Sequence, residues 1–121
     1  MATVQHYTSL CENVCNSTQN ILAAWVFRDA ELVSSFLKPS FPLPNSSEQK
    51  KFLVQAHLMV SMASTNQQMY GKLNYVSGSF QHADYYIFPM TDDNEVLLAV
   101  ACVKPYSVDA IGKAVSVLTV R

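Results

Sequence analysis

Two nearly unbroken apolar runs stand out along the chain. One covers residues 21–27 and closes on Arg28-Asp29; the other fills the interior of residues 95–104. Runs of this length between polar clusters suit strands covered on both faces, and such strands lie in the middle of a sheet. Upstream of the second run, residues 83–90 are rich in Tyr, Ile and Phe, and Thr91-Asp92-Asp93-Asn94 joins the two as a hairpin loop. Arg28-Asp29-Ala30-Glu31 reads as a turn leading into residues 32–37, a shorter, more polar strand nearer an edge. Residues 72–80 alternate in part, with Leu73 and Tyr75 on one face and Asn74 and Gly78 on the other. They predict the opposite edge strand, joined to 83–90 through Gln81-His82.

Helical spacing governs the remainder. Tyr7, Cys11, Val14 and Thr18, with Leu10 adjoining, predict a helix over about 3–19. A connector at 38–45 carries three prolines, which suit neither a helix nor a central strand. The longest helix is expected over 46–70, with Ser46 and Gln49 at capping-box spacing and Gly71 as its stop. After Pro105-Tyr106, Ser107 is the expected N-cap of a last helix that buries Val108, Ile111, Val115 and Leu118. Gly112 at the edge of that stripe would allow a close approach to the sheet. The order α-β-β-α-β-β-β-α predicts a single α/β domain over residues 1–121. Its architecture is a three-layer α/β/α sandwich around a five-stranded, mainly antiparallel sheet.

The long helix is unusual in having two apolar faces. Phe52, Ala56, Met59, Ala63 and Tyr70 share one, flanked by Leu53 and Val60. Val54, Leu58, Met62 and Met69 form a second stripe well round the helix, and His57, Ser61, Ser64 and Gln68 occupy a polar strip between them. A surface helix of a monomer needs only one apolar face. The second is expected to pack against another subunit, with methionine adapting to an irregular partner surface.

Composition sharpens that expectation. Half of the residues are hydrophobic and only 14% are charged, against about a quarter in an average domain. So few charges leave much of a small surface apolar. A net charge of −1 gives no basic face for phosphates, and three glycines do not make a phosphate-binding loop. No run approaches the roughly 18 apolar residues of a membrane span. The N-terminus lacks the basic-then-apolar pattern of a secretory signal, and the three cysteines are an odd number for a disulfide framework. A cytoplasmic, reducing location is expected, with neither nucleic-acid binding nor direct membrane insertion.

Candidate chemistry is sparse. Cys11 and Cys15 are four apart with His6 nearby, but they lie on or beside the apolar stripe and read as core, as does Cys102. Nothing local supports a nucleophilic pairing of Cys11 with His57. Asp84, Asp92, Asp93 and Glu95 read as solvated acids around a hairpin loop, and Trp25 as a core residue of its strand. No catalytic residue, cofactor or metal is expected, and the chain does not read as an enzyme.

The paired strands 21–27 and 32–37, the long helix 46–70, and the segment from Tyr85-Tyr86-Ile87-Phe88 through 95–103 to 108–118 together resemble the roadblock family. This small profilin-like fold includes a dynein light chain, Ragulator scaffold subunits and a bacterial partner of a Ras-like GTPase. The resemblance implies a non-enzymatic scaffold or adaptor that dimerises through the long helix and the strand after it. Carried over by position, the interface comprises Val54, Leu58, Met62, Met69, Leu73, Tyr75 and Ser77. The implied partners are another roadblock-type subunit, in a homo- or heterodimer, and a small GTPase or larger complex on a lysosomal or transport membrane. A longin- or profilin-like trafficking module, or one that binds a ligand or peptide, is the alternative, although longin domains usually begin with a strand.

Overall fold

The computed structural model describes residues 4–42, 44–104 and 107–118, without the side chains of Val117 and Leu118. Its elements are α1 (Val4–Asn16), β1 (Ile21–Arg28), β2 (Glu31–Leu37), α2 (Ser46–Ser64), α3 (Gln67–Tyr70), β3 (Val76–Ser79), β4 (Ala83–Pro89), β5 (Val96–Val103) and α4 (Val108–Leu118). The five strands form one sheet in the order β2-β1-β5-β4-β3, and every pairing is antiparallel. The two apolar runs, β1 and β5, are therefore interior neighbours, and the polar β2 and β3 are the edges.

Alternation along the strands divides the core in two. On one face Ala24, Val26, Leu98, Val100 and Cys102 pack with Leu10, Cys11, Val14 and Cys15 of α1 and with Ile111 and Val115 of α4. On the other, Trp25, Phe27, Ile87, Leu97 and Ala99 pack with Leu53, Ala56 and Val60 of α2. The outcome is the expected three-layer sandwich, with α1 and α4 opposite α2.

Several local features differ from expectation. α1 ends at Asn16, so Thr18 falls in the turn beyond the helix. The capping box of α2 lies one residue earlier than Ser46/Gln49. Asn45 Oδ1 accepts the Glu48 N–H at 2.7 Å, and Glu48 Oε1 accepts the Asn45 N–H at 3.4 Å. The Asn45/Glu48 pair places a carboxylate in the first turn, where the helix dipole favours it. The long helix also breaks after Ser64. The Ser64 and Thr65 hydroxyls donate to the carbonyls of Ser61 and Met62, a local competition that destabilises helix continuation. The short α3 follows and stops at Gly71, whose φ of +88° suits glycine. Tyr70, expected on the buried face, is consequently 80% exposed.

Expected over 72–80, the edge strand is only four residues long, because the Leu73 N–H bonds to Gln67 Oε1 at 2.9 Å instead of joining the ladder. Leu73 packs into the α2-side cluster, whereas Tyr75 meets Tyr86 and Phe88, which belong to the opposite one. The two residues do not share a face. In α4, Val108 is half exposed, and a Cβ on Gly112 would meet nothing within 4 Å, so that glycine serves no close approach. The expectation for Leu118 and the lead-in Pro105-Tyr106 lie outside the described residues.

Candidate protein-interaction face

α2 lies on the sheet because Leu53, Ala56 and Val60 recur at helical spacing, and all three are almost fully buried. Turning that face inward forces the second stripe outward. Val54 is 38% exposed, Leu58 54% and Met62 72%. The described residues of the proline connector leave them exposed; its Phe41 packs instead into the cluster beneath α2. Met69, on α3 beyond the break, is 76% exposed. A helix with one stripe on the sheet and a second in solvent carries an apolar surface that a monomer leaves unused.

The remaining expected interface residues are placed less uniformly. Ser77 is exposed on β3, paired with Tyr86 on one side and, among the described residues, with no strand on the other, since β3 closes the sheet. Tyr75 is 40% exposed just before that strand. Leu73 is half-buried against the α2-side core and supports the face from beneath instead of projecting from it. The geometry thus gathers Val54, Leu58 and Met62 on one helix surface and leaves the backbone of an edge strand open at the side of the sheet.

The residues weighed for chemistry do not converge. Cys11, Cys15 and Cys102 are fully buried in the cluster under α1. Burial pushes their thiols up to about 12, 11 and 12 respectively, with Cys15 also raising Cys11, and the Asp84 carboxylate and then Cys15 raising Cys102. Thiols so deeply protonated are poor nucleophiles. His57 is on α2, across the sheet from Cys11, and His6 is exposed beside Tyr7. Among the described residues no group of three His, Cys, Asp or Glu side chains could hold a metal ion.

The acidic residues split. Asp93 is held below the usual carboxylate range by the Thr91 hydroxyl and the Glu95 N–H, inside an exposed loop. Asp84, expected to be solvated, is instead buried in β4, where it accepts from the Ser79 hydroxyl and the Phe80 N–H and faces Lys104 at 3.5 Å. Among the described residues no helix is long and apolar enough to cross a membrane.

Comparison with known proteins places this architecture. No family model and no curated protein matches the chain. Solved structures do. A Roadblock/LC7 domain from Streptomyces avermitilis is 11% identical with a TM-score of 0.74, over 93% of this chain and 90% of that one. MglB in a tetrameric arrangement is 11% identical with a TM-score of 0.75, over 99% and 87%. MglC from Myxococcus xanthus is 15% identical with a TM-score of 0.63, over 93% and 92%. At these identities the likeness is one of fold: the chain has the roadblock fold.

Proposed function

We propose that this chain, carrying the roadblock fold, is a non-enzymatic adaptor subunit that pairs with a second roadblock-type subunit, either another copy of itself or a relative. The interface is the outer face of α2, through Val54, Leu58 and Met62, extended by Met69, Tyr75 and Ser77, with Leu73 backing it. The edge strand β3 adds backbone pairing across the two subunits. One observation carries this reading: the second apolar stripe of α2 is exposed, and no part of the described chain folds over it. Burying a leucine or methionine side chain is worth about 1.5–3 kcal/mol, so three such residues facing a partner make a substantial core for a small interface.

The paired subunits would present a composite surface to a small GTPase or to a larger regulatory complex of the Ragulator-like or dynein-associated kind, reaching a lysosomal or transport membrane through partners. The resemblance to the roadblock family supports this second step. Sedimentation of the purified protein tests the first. Wild type is expected at twice the 13.5 kDa of one chain, and Leu58→Asp with Met62→Asp at the monomer mass or insoluble. A soluble double variant that retains the dimer mass would refute the interface. For the second step, the immobilised protein should retain a GTPase from native extract differently with GDP than with a non-hydrolysable GTP analogue. Retention indifferent to nucleotide would count against a GTPase partner.

A further inference from the structure

The junction of α2 and α3 interrupts a stretch that is otherwise suited to one helix. From Ser46 to Tyr70 the chain holds neither glycine nor proline, the two residues least tolerated inside a helix. The interruption consists of local hydrogen bonds. The N–H groups of Thr65 and Asn66 bond three residues back, to the carbonyls of Met62 at 3.3 Å and Ala63 at 3.1 Å, a tightening of the 3₁₀ kind. The Ser64 and Thr65 hydroxyls donate to the carbonyls of Ser61 and Met62. Backbone angles nevertheless stay near the helical basin. Thr65 has φ −65° and ψ −16°, and Asn66 has φ −94° and ψ 4°. Rotations of about 25–50° at these two residues restore α-helical values.

The segment beyond the junction is weakly held. α3 is four residues long and buries none of them. Met69 is 76% exposed and Tyr70 80%. Its N-cap Asn66 makes no side-chain capping bond, and Gln67 Oε1, which accepts the Leu73 N–H at 2.9 Å, ties it to the chain that follows. A single turn is far too short to be stable by itself, and segments with so little buried surface open at the lowest cost in a protein.

Joining α3 to α2 changes what the outer stripe presents. On a continuous helix Met69 follows Met62 by seven residues, or two turns, and so falls in line with Val54, Leu58 and Met62. Tyr70 follows Ala63 by the same interval and turns from solvent toward the side of the helix that holds Phe52, Met59 and Ala63. The stripe then lengthens from about 12 Å to about 22 Å.

We propose that the α2–α3 junction is a conformational switch worked by pairing: broken in the single chain, and closed into one helix over residues 46–70 when a second subunit covers the outer face of α2. The inference rests on the pairing proposed above and names what the partner changes. A partner selects the closed form only through contacts made in that form alone, and Met69 in line with Met62 supplies them. The coupling is reciprocal, so a substitution that favours the closed junction also tightens pairing.

Asn66 is exposed and its side chain caps nothing, so it can be changed without removing a residue of the stripe. Labelled protein is followed by ¹³Cα shifts and amide exchange through a dilution series from dimer to monomer mass. In the dimer Thr65 and Asn66 should show helical ¹³Cα shifts, and the amides of residues 66–70 should exchange at least about tenfold more slowly than in the monomer. Asn66→Ala should have a dissociation constant at least about threefold below that of Asn66→Gly, since glycine disfavours a helix interior relative to alanine. A dimer whose Thr65 and Asn66 shifts equal those of the monomer, or equal dissociation constants for the two variants, would overturn the switch and leave the pairing standing. Helical shifts at both residues in the monomer would also overturn it, because the junction would then close without a partner. A wild-type chain at the monomer mass at every concentration would overturn the pairing, and the switch with it.

Discussion

At the scale of single residues, backbone and side-chain detail sets stability in ways that can be measured one substitution at a time. The β1–β2 hairpin turns on Asp29 and Ala30 with φ of 50° and 66°, the left-handed pair of a type I′ turn. Ala30 has no side-chain compensation for a conformation that costs a non-glycine residue about 1–2 kcal/mol. Ala30→Gly should therefore stabilise the protein by about 0.5–1 kcal/mol in urea unfolding, and a loss of stability would contradict this account of the turn. Gly78→Ala works the other way. Its Cβ must push the Tyr85 ring off β3, breaking the contact with Phe52, at about 1–3 kcal/mol.

The buried thiols add a pH dependence. Their folded pKa values stand above the ordinary 9.0, so the unfolded chain loses those protons first as pH rises. The stability they contribute is complete below about pH 9 and declines toward pH 11–12, by up to about 1.4 kcal/mol per pH unit for each thiol. Urea midpoints of wild type and Cys102→Ala between pH 8 and 11 would check it. The variant's curve should be the flatter, whatever its absolute stability.

At the scale of elements, what could be read in advance depended on whether a pattern had a rival. The apolar runs of β1 and β5 had none, and both became interior strands of a sheet with cover on each side. The start of α2 had two overlapping capping boxes, Asn45/Glu48 and Ser46/Gln49, and hydrophobic periodicity does not choose between them. The structure uses the first. Asn45→Ala should accordingly cost about 1 kcal/mol and Ser46→Ala only a few tenths, as separate urea titrations would show; the reverse ranking would restore the later cap. The end of α2 was misread because Ser61-Met62-Ala63-Ser64-Thr65-Asn66 keeps helical spacing while its hydroxyls turn back onto the carbonyls behind them. The start of β3 was misread for a related reason. A side-chain amide, Gln67, takes the backbone N–H that a ladder would have used.

At the scale of the whole molecule, a stripe on one helix is legible in sequence and a pocket is not. Val54, Leu58 and Met62 sit on one helix at a fixed spacing, so their common surface followed from the chain alone, and they are exposed together. The pocket at the N-terminal end of α2, lined by Trp25, Phe41, Phe52, Phe80 and Tyr85, draws its five rings from five separate segments, and only the assembled sheet brings them together. Trp25 shows the limit well: read as core, it is nearly buried, and it also lines that pocket.

The central claim is that the outer stripe of α2 is covered by a second subunit in solution, and oxidation of individual methionines measures that cover directly. Met62 is 72% exposed on one chain and Met90 only 9%, so in a monomer peroxide converts Met62 to its sulfoxide quickly and Met90 slowly. The account predicts that Met62 is protected wherever the dimer mass persists and becomes fast-reacting as dilution releases single chains, with Met90 slow throughout. Rapid oxidation of Met62 at concentrations where the protein is fully dimeric would contradict it.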